Sequence, residues 1–145
     1  LSDNYILVVD DNYGIRRLLY EFLTQEGYSV KDAPDGLKAL ELVMEKKPRL
    51  ALLDMRMPGL SGMETLAKLR DIAPETIVIT MSAYIDAKDI NDAVQEGRIK
   101  HFIFKPFDLV EIGILLNDLL STSLFQASSN KSNSSLPSLG KSPNF

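Results

Sequence analysis

The chain has 145 residues, 45% of them hydrophobic and 25% charged, which allows one compact domain with a substantial core and little else. It has no cysteine and one histidine, His101, so disulfides, zinc ribbons, iron–sulfur clusters, thiol catalysis and His-rich metal sites are excluded. Sixteen basic against twenty acidic residues give a net charge of −4, and neither nonspecific nucleic-acid binding nor attachment to an anionic membrane is expected.

From residue 1 to 120, short apolar runs alternate with helical periodicity. Tyr5–Val9 reads as a first strand, nearly continuous in Ile, Leu and Val as for a strand covered on both faces. Asn12–Glu26 follows as a helix, with Ile15, Leu18, Leu19, Phe22 and Leu23 at helical spacing and Gly27 as a stop. Ser29–Lys31 is a weaker strand, and Leu37–Lys46 a helix ending before Pro48. Leu50–Leu53 and Thr76–Met81 are again apolar strands, separated by a helix over Met63–Ile72. Ala87–Glu96 is a helix starting behind Asp86, Phe102–Phe104 a last strand, and Val110–Leu120 a closing helix.

Strand and helix repeated five times with short loops predict an α/β fold with a doubly wound five-stranded parallel sheet. Five strands favour the flavodoxin-like order 2-1-3-4-5 with five helices, and ligands then bind at the carboxyl ends of the strands. Residues 121–145 differ in kind, with nine serines, three asparagines and no acidic residue. They read as a flexible tail, a linker or vector-derived residues following a 1–120 domain. The chain opens on Leu1, which reads as a trimmed start. No apolar run reaches the roughly 18–20 residues of a membrane span and no signal peptide precedes the first strand, so a cytoplasmic, membrane-free protein is expected.

At the predicted carboxyl edge the first strand ends in Asp10 and Asp11, the third in Asp54, the fourth in Ser82 and the fifth in Lys105-Pro106. Three converging carboxylates repel one another unless a cation joins them, and Mg²⁺ with oxygen ligands fits best. Carboxylate nucleophile, metal ion, ammonium and hydroxyl together describe a phosphoryl-transfer site. Neither GxxxxGK[ST] nor GxGxxG is present, so phosphate must come from another molecule. Taken singly, Asp11 or Asn12 reads equally well as a helix cap, Asp54 as a turn residue and Lys105 as a solvated surface lysine. Their coincidence at adjacent strand ends favours the site. The apolar band on the first helix is wider than one packed face requires, which leaves Ile15 and Leu18, joined by Pro106 and Phe107, as a candidate partner-docking surface. Arg16 and Arg17 are read as keeping its outer side soluble.

Val-Val-Asp-Asp at 8–11, Leu-Leu-Asp-Met-Arg-Met-Pro-Gly at 52–59, Ser-Ala at 82–83 and Lys-Pro-Phe at 105–107 resemble the receiver domain of bacterial two-component response regulators, over residues 5–120. The resemblance implies that Asp54 accepts a phosphoryl group from a sensor histidine kinase. It further implies that Asp10, Asp11, Asp54 and the backbone carbonyl of Arg56 hold Mg²⁺, that Ser82 and Lys105 bind the phosphoryl oxygens, and that Phe102 is the switch aromatic. Such a domain signals as a phospho-acceptor and assists its own phosphorylation and dephosphorylation. Asp-Asn-Tyr-Gly-Ile-Arg at 11–16, Met-Ser-Ala-Tyr at 81–84 and Lys-Pro-Phe-Asp at 105–108 are also similar to stand-alone receivers of sporulation phosphorelays, which implies a histidine phosphotransferase as second partner. Two departures stand out: the Gly97–Lys105 loop is one residue longer than usual, leaving His101 to read as a surface histidine, and Ser82 replaces the commoner threonine. Competing expectations are a receiver cut from a longer DNA-binding regulator, a chemotaxis-type messenger and a structural pseudo-receiver. Nothing helix-turn-helix-like is present, so direct DNA binding is not expected.

Overall fold

The computed structural model describes residues 4–129. In chain order it runs β1 (Ile6–Val9), α1 (Tyr13–Gln25), β2 (Val30–Ala33), α2 (Gly36–Glu45), β3 (Leu50–Asp54), α3 (Gly62–Ile72), β4 (Ile77–Ala83), a 3₁₀ turn (Tyr84–Asp86), α4 (Ala87–Gln95), β5 (His101–Lys105) and α5 (Leu109–Ser129). The five strands form one parallel sheet in the order β2-β1-β3-β4-β5, the doubly wound arrangement expected from the pattern.

Every residue of β1 and β3 is buried, whereas the edge strand β2 buries only its two ends. Alternation along the strands divides the core. Leu7, Val9, Ala51, Leu53 and Val78 belong to a cluster with Leu40 and Val43 of α2, Leu66 and Leu69 of α3, and Ile90 of α4. Leu19 and Leu23 of α1 are also fully buried. At about 1.5–3 kcal/mol for each large aliphatic side chain removed from water, these strands anchor everything attached to their ends. In the second unit, which begins at Val110, α5 carries Ile112, Leu116 and Leu120, buried at a spacing of four. Among the described residues no helix is long and apolar enough to cross a membrane.

Helix starts follow local chemistry. The Asn12 side chain accepts the Ile15 amide at 2.9 Å, Asp35 accepts that of Lys38 at 2.9 Å, and Ser61 with Glu64 closes a capping box at 3.1 and 3.0 Å. Gly27, with φ of 99°, ends α1 in a left-handed conformation that side chains disfavour.

Several boundaries differ from the sequence reading. β2 runs to Ala33 rather than stopping at Lys31, because Asp32 and Ala33 still pair in parallel with Val8 and Val9 of β1. β4 runs to Ala83 rather than Met81, its last residues pairing with Phe104 and Lys105 of β5. α5 continues to Ser129 rather than ending at Leu120, since no glycine or proline interrupts residues 121–129. The rest of the expected tail, 130–145, lies outside the described residues.

The start of α3 lies against the loop that follows Asp54: a Cβ on Gly62 would collide with the Met55 backbone, whose carbonyl accepts the Gly62 amide at 3.3 Å. Gly62→Ala is expected to push these segments apart and cost about 1–3 kcal/mol, the usual penalty for overpacking. Urea denaturation with an unchanged m-value checks it.

Candidate phosphoryl-transfer site

Parallel register brings the site together. Val9 pairs with Leu53, Asp54 with Met81 and Ala83 with Lys105, so the carboxyl ends of β1, β3, β4 and β5 finish side by side. Asp10, Asp54 and Ser82 are buried there, while Asp11 is exposed at the rim. Carboxylate oxygens of Asp10, Asp11 and Asp54 all lie within 4.8 Å of one another. Lys105 Nζ reaches across from β5 and donates to Asp10 Oδ2 at 2.8 Å, with Asp54 Oδ1 at 3.5 Å. Asp10 is fixed further by the Asn12 amide, which donates to its Oδ1 at 2.9 Å.

One ammonium faces three carboxylates, and the imbalance registers on Asp54. Burial, and then the charge of Asp10, push its carboxyl up to about 6, against the opposing pull of Lys105 and of the Arg56 amide, which lies 3.4 Å from Oδ1. Above that value the carboxyl is an anion held desolvated among like charges, a state that a nearby cation would relieve. The Ser82 Oγ has no hydrogen-bond partner, and among the described residues it is the one buried side-chain polar atom without one. An unpaired buried hydroxyl costs about 1–3 kcal/mol, so this one suits a group not yet present.

Residues Asp10, Asp11 and Asp54 fit a divalent cation. Their oxygens are close enough to share one ion, they carry excess negative charge, and exposed Asp11 leaves an opening to water, as Mg²⁺ requires. Asn12 supplies the α1 cap, which leaves Asp11 free of that role.

Other expected residues fall less simply. Phe102 is half-buried; it packs edge-to-face on Phe104 at 5.5 Å, and Phe104 in turn on Tyr84 at 5.3 Å. His101 is not a surface histidine. It is half-buried at the start of β5, opposite Ile79, and burial, with Lys100 nearby, lowers its pKa. Arg16 is not a solubilising residue on the outer side either. It turns inward, donating through Nη1 to the Asp10 carbonyl at 2.8 Å and through Nε to Asp32 at 2.8 Å. Of the proposed docking residues, Leu18 and Pro106 are exposed and Ile15 and Phe107 half-buried, while Leu19 and Leu23 are core. Sequence reasoning missed Arg16 as a support of the site and the partnership of Arg56 with Asp86; no local signal links residues thirty positions apart.

A parallel 2-1-3-4-5 sheet carrying an acidic trio, a lysine and a hydroxyl at its carboxyl edge defines a phospho-acceptor signalling domain. Residues 6–117 match the model of the response regulator receiver domain, and the chain belongs to that family. It is 45% identical over 112 residues to the sporulation initiation phosphotransferase F of Bacillus subtilis, covering 77% of this chain and 90% of that protein. With the regulatory protein AtoC of Escherichia coli it shares 33% identity over 117 residues, 81% of this chain but only 25% of that longer protein. The crystal structure of the receiver domain of NtrX from Brucella abortus superposes with a TM-score of 0.74 at 32% identity, covering 81% of this chain and 98% of that one.

Two expectations follow. The raised Asp54 carboxyl means that the folded state binds a proton more tightly than the unfolded chain, so folding takes up a proton between pH 3.8 and about 6 and stability falls as pH rises through that window. Without metal, Asp54→Asn should therefore gain on the wild type by up to about 3 kcal/mol between pH 4 and pH 7, from about 1.4 kcal/mol per pKa unit; denaturation at both pH values measures the difference. Mg²⁺ should raise the melting temperature of the wild type, and Asp11→Ala should lose most of that increment while melting no lower than wild type in EDTA. Equal stabilisation of both proteins would remove Asp11 from the ligand set.

Proposed function

We propose that this receiver is a phosphorelay intermediate: Asp54 takes a phosphoryl group from the phosphohistidine of a sensor kinase and yields it to a histidine phosphotransferase. The observation that carries the reading is the desolvated Asp54 carboxylate, flanked by Lys105 at 3.5 Å and by an unpartnered Ser82 hydroxyl. Similarity to sporulation initiation phosphotransferase F over 90% of that protein supports a relay role, in the cytoplasm and within sporulation signalling.

An Asp54 carboxylate oxygen attacks phosphorus as the P–N bond of the donor breaks, and the departing imidazole nitrogen keeps the electron pair and takes a proton. Lys105 Nζ moves from the carboxylates toward the transferred oxygens, and Ser82 Oγ donates to one of them, finding its missing partner. Mg²⁺, held by Asp10, Asp11, Asp54 and the Arg56 carbonyl, would supply the charge neutralisation that the ammonium alone does not. Phe102, through Phe104 and Tyr84, lies on the packing route by which a shift at Ser82 would be felt. Exposed Leu18 and Pro106, with half-buried Ile15 and Phe107, offer the apolar surface for both partners.

A second reading, the receiver portion of a longer regulator, is favoured by the match to one quarter of AtoC. Transfer of phosphate onward to a histidine phosphotransferase separates the two.

Incubation with acetyl phosphate and Mg²⁺ should add one phosphoryl mass to the intact protein; Asp54→Asn or EDTA should remove it, and efficient labelling of Asp54→Asn elsewhere would refute the acceptor. Leu18→Ala should keep acetyl phosphate labelling and a near-wild-type melting temperature while losing about tenfold in transfer from the kinase, the effect of removing one central interface anchor.

A further inference from the structure

The amino edge of the sheet, opposite the acidic site, carries a cavity of its own. Its volume is about 370 Å³, and it lies between the loop from α3 to β4 and the loop from α4 to β5. β5 starts there with His101 and ends at Lys105, roughly 13 Å away at the usual rise of a strand. Arg70, Lys100 and His101 bring three nitrogen-bearing side chains to the cavity, and Glu75 brings a single carboxylate.

The cations there are uncommitted. Arg16, Arg17, Arg56 and Arg98 each pair with a carboxylate. Half-buried Arg70 and exposed Lys100 have no ion pair or side-chain hydrogen bond among the described residues, and exposed Glu75 pairs with neither. The last turn of α3 suits a cation at position 70, but it leaves the guanidinium donors without an acceptor. Burial, and then Lys100, lower the His101 pKa, so at pH 7 its ring is neutral and keeps one N–H to donate.

Donors brought together from α3, from the start of β5 and from the residue before it match a tetrahedral anion with three free oxygens better than a planar carboxylate with two. At about 30 Å³ per water the cavity has room for roughly a dozen, more than a bare phosphate displaces. Pro74 and Ile77 add apolar wall beside the cations. We propose that this cavity binds a small phosphate monoester, its oxygens held by Arg70, Lys100 and His101 and its organic part lying against Pro74 and Ile77. Binding there does not depend on phosphoryl transfer at Asp54.

Phenyl phosphate is the probe, added to the full chain in EDTA at pH 7 and constant ionic strength, with binding read from 1H–15N NMR spectra. Saturable shifts should centre on residues 70–78 and 97–101 and leave residues 10–12 and 54–56 unmoved. His101 is the chain's one histidine, so its ring protons report directly, and its pKa should rise as the bound anion offsets Lys100. Arg70→Gln and Lys100→Gln should each weaken binding about tenfold, the effect of losing one charge-assisted hydrogen bond. Glu75→Gln should tighten it about two- to threefold, since a facing like charge is gone. Lys68→Gln, which removes an exposed lysine from the same helix as Arg70, should leave it unchanged. The same spectra show whether each variant is folded, and exposed Lys100 carries the test if Arg70→Gln is not. Shifts confined to the acidic edge, failure to saturate, or an equal loss in Lys68→Gln overturn the site. Equal affinity for acetate overturns the phosphate class, and equal affinity for inorganic phosphate overturns the monoester.

Discussion

The confinement of three carboxylates at the ends of two adjacent strands, against a single ammonium, is what the rest of this structure serves. Asp10 and Asp54 are buried because β1 and β3 are buried to their last residues, and Lys105 comes to them from the far edge of the sheet, ninety-five residues beyond Asp10. Such an arrangement adds little to stability: desolvating charges costs as much as the ion pair returns, and the surplus negative charge is an added burden, visible in the raised Asp54 carboxyl. The fold tolerates it because the hydrophobic strands behind the site carry the stability. What the burden produces is a pocket of surplus negative charge that a cation would relieve.

Support around the carboxylates is layered. Arg16 holds the backbone at the end of β1 by its bond to the Asp10 carbonyl and ties that point to the edge strand through Asp32. The Asn12 amide orients Asp10. Gly62 lets α3 start against Met55, so the segment after Asp54 is pinned by backbone contact. These elements fix the Asp10 and Asp54 side. Ser82 differs: its hydroxyl is unpaired, and the turn beyond it is held by an exposed ion pair rather than by core packing. A site with one rigid half and one lightly tethered half suits a group that must be accepted, sensed and given up.

The same receiver architecture spans 90% of one relative and a quarter of another. A receiver thus makes up most of one relative and a minor part of the other, and each presents its own surface around the carboxyl edge. On this chain that surface is uneven, with Leu18 and Pro106 open to solvent while Ile15 and Phe107 are half withdrawn.

Much of this was legible in the amino-acid order. Apolar runs, helical spacing and caps are local, so the five strands, the five helices and their order follow from periodicity and the handedness of crossovers. Because ligand sites lie where parallel strands end, Asp10, Asp11, Asp54, Ser82 and Lys105 were identifiable as a group. Tertiary structure alone decided the pairings. Arg16, on what reads as an outer helix face, turns inward because Asp32 and the Asp10 carbonyl lie within its reach; Asp86, which ends the 3₁₀ turn before α4, pairs with Arg56; His101 is half-buried because its strand begins one residue early against Ile79. These partners are separated by 6 to 30 positions in the chain, and their distances exist only once the parallel register has set which loop ends stand side by side. Local propensity determines the elements; the register of the folded sheet determines which charges meet.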